Sequence, residues 1–285
     1  MNIFQKFWIN LQLLFKNYVI VKLFRLEDYG KPNYGMESQG MDILDNRYIF
    51  QGSDNTGKLP SLVIIDTKIK KIIGELILDL PKCHMNNINF GPKINQNAKW
   101  PTLYISECRN LRCCYVISVS ADLSKYNLIQ TIYFKSDKHY RGGQYPFDWF
   151  IDVDKKYLYT FGITDCNGEM EIIQFKLPYL RKKEITLTDA DILDAFTINN
   201  CYIYQGSKII DDRLYVLSGF DTKDCPTYLH VINLQNHFVE KRINIAGLSE
   251  LEALGKYDNG IVAVNCAYNP TYTFIKLKNV SKCFK

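Results

Sequence analysis

The chain contains an internal copy of part of itself. Residues 39–50 read QGMDILDNRYIF and residues 205–216 read QGSKIIDDRLYV, which sets Gln39 over Gln205, Gly40 over Gly206, Ile43 over Ile209, Asp45 over Asp211 and Arg47 over Arg213. The offset from position 39 to position 205 is 166, and Pro60 and Pro226 keep it. One inserted residue later, LVIIDTKIKKIIGELIL (62–78) follows the apolar pattern of LHVINLQNHFVEKRINI (229–245). A short β unit cannot bury both of its own faces. Copies of such a unit therefore have to pack on one another in a regular array.

More distant copies follow the same plan of strand, Asp-containing turn and second strand. They read MDILDNRYIFQG (41–52), FIDVDKKYLYTFG (150–162), KIIDDRLYVLSG (208–219) and LGKYDNGIVAVN (254–265). The turns are Asp45-Asn46, Asp154-Lys155, Asp211-Asp212 and Asp258-Asn259-Gly260, residues that tolerate a left-handed backbone. Third and fourth strands are expected at SLVIID and KIIGELIL in the first unit, and at EMEIIQFKL and EITL in the third. A divergent second unit runs through HMNNINFG (84–91), PTLYISEC, CCYVISVSA and NLIQTIYF. The fifth unit, Glu250 to Leu277, has three strands: LEALGKY, GIVAVN and TYTFIKL. Part of segment 18–35, such as VIVKLF, is expected to supply its fourth.

Five units of about 45–50 residues, each a four-stranded meander, predict an all-β fold, a five-bladed β-propeller with antiparallel blades. Six blades are the alternative, if the N-terminal segment and the long second unit hide one more. The domain is expected over 36–280, behind an N-terminal segment 1–35.

Composition narrows the rest. A net charge of +5 spread along 285 residues leaves no nucleic-acid footprint. No stretch has the roughly 20 uninterrupted apolar residues of a membrane span. FWINLQLLF (7–15) is broken by Asn10 and Gln12; it reads as a packing helix or strand, or as a degraded export signal, and the compartment stays open. The 9 cysteines are irregularly spaced, without a zinc-type CxxC, so free thiols are expected, with no cofactor and no metal.

In a propeller the innermost strands converge on an axis, so the residues that begin them meet in space. Here those are Gln39; His84, Asn86 and Asn87; Asp148 and Trp149; Gln205; and Glu252, preceded by Glu250. A ring of amides and carboxylates beside aromatics (Trp149, Tyr145, Phe147) suits a polar small molecule, a glycan, a peptide or a protein partner. The competing reading is that these groups bind channel water and each other. His84 stands out because HMNN replaces the QGMD and QGSK of sibling units. An enzymatic alternative pairs Asp148 or Glu107 with Glu252, aided by His84, in a hydrolase or lyase acting on glycans. No GxSxG elbow, Walker loop or dinucleotide fingerprint is present, so whether the chain is an enzyme stays open.

HMNNINFG, followed by WPTLYISE and later by LSELEALGKYDNGIVAV, resembles uncharacterised propeller proteins of gut Bacteroidetes over roughly residues 36–277. That resemblance implies a propeller, often exported or lipid-anchored, and no activity. YQGSKIIDDRLYVLSGF and ELEALGKYDNGIVAVN are more faintly similar to plant-type glutaminyl cyclase propellers, through Gln205, Gly206, Glu250, Leu251 and Glu252. This second resemblance implies an aminoacyl-cyclase relative. Leu217 stands before Ser218 where those proteins carry an acidic residue.

Overall fold

The computed structural model describes residues 1–14, 16–30, 37–54, 59–80, 83–109, 111–140, 148–163, 169–199, 204–245, 247–267 and 270–278. The chain opens with helix α1 (Ile3–Leu13) and strand β1 (Tyr18–Arg25). Blade one is β2 (Glu37–Leu44), β3 (Tyr48–Asp54), β4 (Ser61–Asp66) and β5 (Lys71–Ile77). Blade two is β6 (Ile88–Phe90), β7 (Leu103–Ser106), β8 (Cys114–Val119) and β9 (Tyr126–Phe134). Blade three holds β10 (Asp148–Asp152), β11 (Tyr157–Ile163) and β12 (Met170–Lys176); β13 (Glu184–Leu187) and β14 (Ile192–Ile198) follow. Blade four is β15 (Tyr204–Ile210), β16 (Arg213–Ser218), β17 (Tyr228–Asn233) and β18 (Phe238–Asn244). Blade five is β19 (Leu251–Tyr257), β20 (Gly260–Asn265) and β21 (Thr271–Leu277).

The ring is closed by chemistry at its two ends. β1 pairs antiparallel with β21, Tyr18 opposite Leu277 and Arg25 opposite Thr271, and becomes the outer strand of blade five. The packing shows the same closure. The buried apolar residues form five clusters, each between two neighbouring blades, where an open row of five blades would have only four such junctions. The cluster between blades five and one also takes Ile9 and Leu13 of α1, so the helix seals the seam. The protein is a five-bladed β-propeller.

One strand lies elsewhere than the sequence suggests. EITL is not the fourth strand of blade three, since β14 pairs with β12 in that place. β13 instead runs parallel to β9 on the outer edge of blade two. Gln130 Nε2 donates to the carbonyls of Tyr179 and Lys182, and the Thr131 amide to that of Lys183, which docks the strand on blade two. A four-residue strand matches either edge on pattern alone; these bonds decide between them.

The internal copy explains several contacts. Asp45 and Asn46, with φ of 54° and 53°, and Asp211 and Asp212, with 47° and 64°, form equivalent left-handed hairpin turns. The Asp154 turn is built differently: Asp152 Oδ1 accepts the Lys155 amide, and Lys156 takes the positive φ. Arg47 clamps Asp66 with bonds of 2.9 and 2.6 Å, and its equivalent Arg213 reaches Glu240 at 2.6 Å. Both ties join the turn after the first strand to the outer half of the same blade.

Gln-Gly marks a bulge. In β2 the register slips between Ser38 and Met41, and in β15 between Tyr204 and Ser207. The glycine is needed there because the next blade's backbone comes very close. A Cβ on Gly40 would lie 2.6 Å from the Met85 carbonyl oxygen, and one on Gly206 would lie 2.4 Å from that of Glu252.

One position of the copy carries opposite charges. Asp42 and Lys208 are 166 residues apart, hence equivalent, and Lys208 Nζ lies 2.5 Å from Asp42 Oδ2. Blades one and four are not neighbours, so this ion pair crosses the axis. Asp42 also accepts the Phe90 amide of blade two at 2.7 Å, which joins three blades at one carboxylate.

Two outcomes follow from this arrangement. Deleting residues 1–25 removes a paired strand and the three buried apolar side chains Ile9, Leu13 and Val19, each contributing about 1.5–3 kcal/mol. The truncated chain should unfold at markedly lower urea, and an unchanged midpoint would show that β1 does not close the ring. Lys208→Ala strands a buried carboxylate and should cost about 3–5 kcal/mol, whereas Asp42→Leu with Lys208→Met should cost much less. Equal losses in the single and double variants would show that pairing is not what the lysine supplies.

Candidate functional site

The innermost strands β2, β6, β10, β15 and β19 all begin at one end of the ring and run to hairpin turns at the other. Among the described residues, those singled out from the sequence sit at the strand-start end or just inside it; Gln39, His84, Asn86, Asn87, Asp148, Trp149, Gln205 and Glu252 are buried and Glu250 is half-buried. Three of them sit on bulges: Gln39 in β2, Gln205 in β15 and Glu252 in β19, where the register slips between Leu251 and Ala253. A bulge turns its side chains out of the strand's alternation, so each departs from the direction that period-two pleating would assign.

Just inside the mouth, blade two reaches across the channel. Asn86 Nδ2 donates to Asp148 Oδ2 at 3.0 Å and to the Gln205 carbonyl at 3.2 Å. Asn87 Nδ2 donates to the Trp149 carbonyl and to Ser207 Oγ, and Asn89 Nδ2 shares that carbonyl. Blades two and four are not neighbours, so these bonds span the axis as Asp42–Lys208 does. At this depth the channel is a bonded polar core, and Asn86 and Asn87 serve it.

Asp148 is enclosed in the same network. Burial raises its carboxyl from 3.8 to about 6, against the lowering effect of bonds from Ser106, the Trp149 amide and Asn86. Trp149 does not face a ligand. Its ring packs with Tyr104, Cys114 and Val116 in the core between blades two and three, and only its backbone serves the lumen. Tyr145 and Phe147, its expected aromatic companions, lie outside the described residues.

Closer to the mouth the groups are ionisable. His84 Nδ1 lies 2.6 Å from Asp54 Oδ2, and Arg109 Nη1 donates to the same oxygen at 3.3 Å. Asp54 was not legible as a site residue, because it ends a second strand. On the adjoining stretch of rim, Gln205 Nε2 donates to Glu250 Oε1 at 2.6 Å. Gln39, its equivalent in the copy, has an Oε1 with no hydrogen-bond partner among the described residues. The two glutamines thus share a backbone position and not a role.

Glu252 has the most unusual surroundings. Its carboxylate, that of Glu250 and the Cys266 thiol place one ligand atom each within 4.8 Å of one another. Burial pushes Glu252 from 4.5 up to about 8, and the Glu250 charge and more distant Glu37 add to the rise. Two carboxylates and a thiol are a donor set that a borderline divalent cation accepts. No metal was expected from cysteine spacing, because Cys266 is brought in from just beyond the neighbouring strand β20. The Glu-x-Glu alternation was the only sign in the chain that two carboxylates share a face.

The remaining histidines are engaged elsewhere: His139 with Glu171, His237 with Asp194, and His230 with Ser218. Cys83, Cys108, Cys113, Cys114, Cys225 and Cys266 are free thiols, while Cys166, Cys201 and Cys283 lie outside the described residues. At the turn end a cavity of about 460 Å³ is lined by Asp152, Asp154, Asp211 and Asp212, with Lys208 and Phe90 also in its wall. Its lysines are committed, Lys155 to Asp212, Lys256 to Asp211 at 3.8 Å and Lys208 to Asp42.

No protein-family model matches this chain, and no curated protein matches it. Among solved structures it is similar to the tail fibre of Staphylococcus aureus phage P68, with a TM-score of 0.58 and 11% identity, covering 93% of this chain and 54% of that one. The chain therefore spans about half of that fibre chain. It is also similar to the WD40 β-propeller domain of Doa1 (TM-score 0.41, 10% identity, 82% and 62% of the two chains). A chain of the nidogen/laminin complex matches at TM-score 0.41 and 11% identity, over 86% of each. Identities this low speak to the fold alone.

The two raised carboxyls set a pH dependence. A carboxyl whose folded value lies above its unfolded one contributes stability that is complete below the unfolded value and lost as pH rises through the folded value. For Glu252 that window runs from 4.5 to about 8, and for Asp148 from 3.8 to about 6. The melting temperature should therefore fall from pH 5 to pH 8, at about 1.4 kcal/mol per pH unit for each group while it titrates. Glu252→Gln should flatten the upper part of that profile and Asp148→Asn the lower part. A melting temperature that does not change over this range would contradict both assignments.

Proposed function

We propose that this propeller is a recognition module that takes a polar ligand, a peptide or glycan segment of a partner, at the strand-start end of its axis. The observation that carries the reading is Glu252. Buried carboxylates in folded proteins are normally matched by a cation or by several donors. The groups acting on Glu252 are instead Glu250, Cys266 and Glu37. The Cys266 thiol is the one donor acting on it to favour the charged form; a hydroxyl, amide or ammonium from a ligand would add a stronger one, and groups perturbed in this way cluster at functional sites.

The same end holds His84, whose Nδ1 is held by Asp54, and Gln205, fixed on Glu250. These side chains are pinned before a ligand arrives, so little ordering is left to oppose binding. The turn end is a weaker candidate, since the lysines of its cavity are already paired with aspartates.

A thermal-shift screen at pH 7.5 against peptide and glycan libraries should find a ligand that raises the melting temperature. Glu252→Gln should then raise the stability of the free protein and weaken that ligand tenfold or more, about 1.4 kcal/mol or above. A purely structural carboxylate would not give those opposite signs. Affinity unchanged by Glu252→Gln, but lost on Lys256→Ala at the other end, would move the site to the turn-end cavity.

A further inference from the structure

Helix α1 presents an apolar surface on each of two opposite sides. At 3.6 residues per turn, Ile3, Leu14, Phe7, Leu11, Phe4 and Trp8 fall within an arc of about 140°. Ile9 and Leu13 lie on the far side and are buried in the seam between blades five and one. The wide arc faces outward: Ile3 is 88% exposed, Phe4 73%, Phe7 62%, Trp8 52% and Leu14 65%. Gln5 and Gln12 border the arc on one edge, Lys6 and Asn10 on the other. A helix that only plugged the seam would need the inner stripe and would carry polar residues outside.

Charge indicates what the outer stripe meets. The 26 residues from Met1 to Leu26 include Lys6, Lys16, Lys22 and Arg25 and no Asp or Glu. The helix is also held by lysines from β21 and its end: Lys276 Nζ donates to Asn10 Oδ1 at 2.8 Å and Lys278 Nζ to the Leu14 carbonyl at 3.2 Å. The acidic groups nearby are already engaged, Asp258 with Lys6, Glu27 and Asp28 with Arg25. An aromatic stripe rimmed by lysines matches a bilayer surface with anionic headgroups. A second copy of the chain would bring one lysine rim against another. Among the described residues no helix is long and apolar enough to cross a membrane, so α1 would lie on the surface.

We propose that α1 docks this propeller on an anionic lipid surface through Phe4, Phe7 and Trp8. The ties of the helix run to Asp258, in the turn between β19 and β20, and to Lys276 and Lys278 at the far end of β21. All of these belong to the turn end of blade five, so one edge of the helix is fixed there while the stripe is left outward. The docking does not depend on the proposed ligand site, and its test leaves that site untouched.

The experiment is co-sedimentation of the full chain with vesicles of phosphatidylcholine and phosphatidylserine, and with phosphatidylcholine alone. Trp8 is the exposed member of the 3 tryptophans; Trp100 and Trp149 are buried. Binding should be strong on the mixed vesicles, weaken with salt and shift the Trp8 emission to shorter wavelength. Phe4→Gln with Phe7→Gln should reduce partitioning about tenfold or more, with the melting temperature unchanged because both side chains are exposed. No sedimentation with mixed vesicles would overturn the proposal. So would equal binding of the double variant, or a concentration-dependent oligomer that the same substitutions abolish.

Discussion

The ladder from Tyr18 opposite Leu277 to Arg25 opposite Thr271 joins the two ends of the described chain, and the other contacts of the ring assume it. Blade five has three strands from the C-terminal third and one from the N-terminal segment, so it exists only when the chain has come full circle. Among the described residues, the seam it completes is the one core cluster that also includes a helix. Each blade buries its faces on two neighbours, and one missing neighbour would leave two blades half-covered. Closure is therefore a constraint on the whole domain and not only on blade five.

Inside the ring, near-symmetry is broken by charge. The duplicated unit places Asp42 and Lys208 at one position of two blades, and the pair meets across the axis. Asn86 and Asn87 reach blade four from blade two a little nearer the mouth. With the lumen bonded in this way, the two ends of the axis are separate environments. One end gathers carboxylates, a histidine and a thiol; the other is a rim of hairpin turns around a cavity whose lysines are paired with aspartates.

The bulges connect the repeat to the candidate site. Gly40 and Gly206 lack a Cβ because the next blade's backbone occupies that space, and the same slip of register displaces Gln39 and Gln205. β19 keeps a bulge without the Gln-Gly pair and places Glu252 on it. A structural device repeated for packing thus positions a polar residue at the mouth in three blades. Only in blade five does it bring a carboxylate beside another carboxylate, and burial then raises its affinity for a proton or for a donor.

The sequence by itself favoured five blades over six and determined most of their strands and the hairpin turns, because in-register copies and period-two alternation are local and survive divergence. It also determined which end of each inner strand would be polar. It could not place EITL, since a four-residue strand fits any free edge and the Gln130 bonds to Tyr179 and Lys182 belong to tertiary structure. It grouped Asn86 and Asn87 with Glu252 because all of them begin inner strands, yet the asparagines bond across the lumen while Glu252 faces Cys266. Trp149 looked like a ligand-facing aromatic and is core, because one step along a strand exchanges the lumen for the junction between blades. Asp54 for His84 and Cys266 for Glu252 come from different strands of the ring. Pairings of that kind arise only when the circle closes and have no spacing in the chain by which to find them.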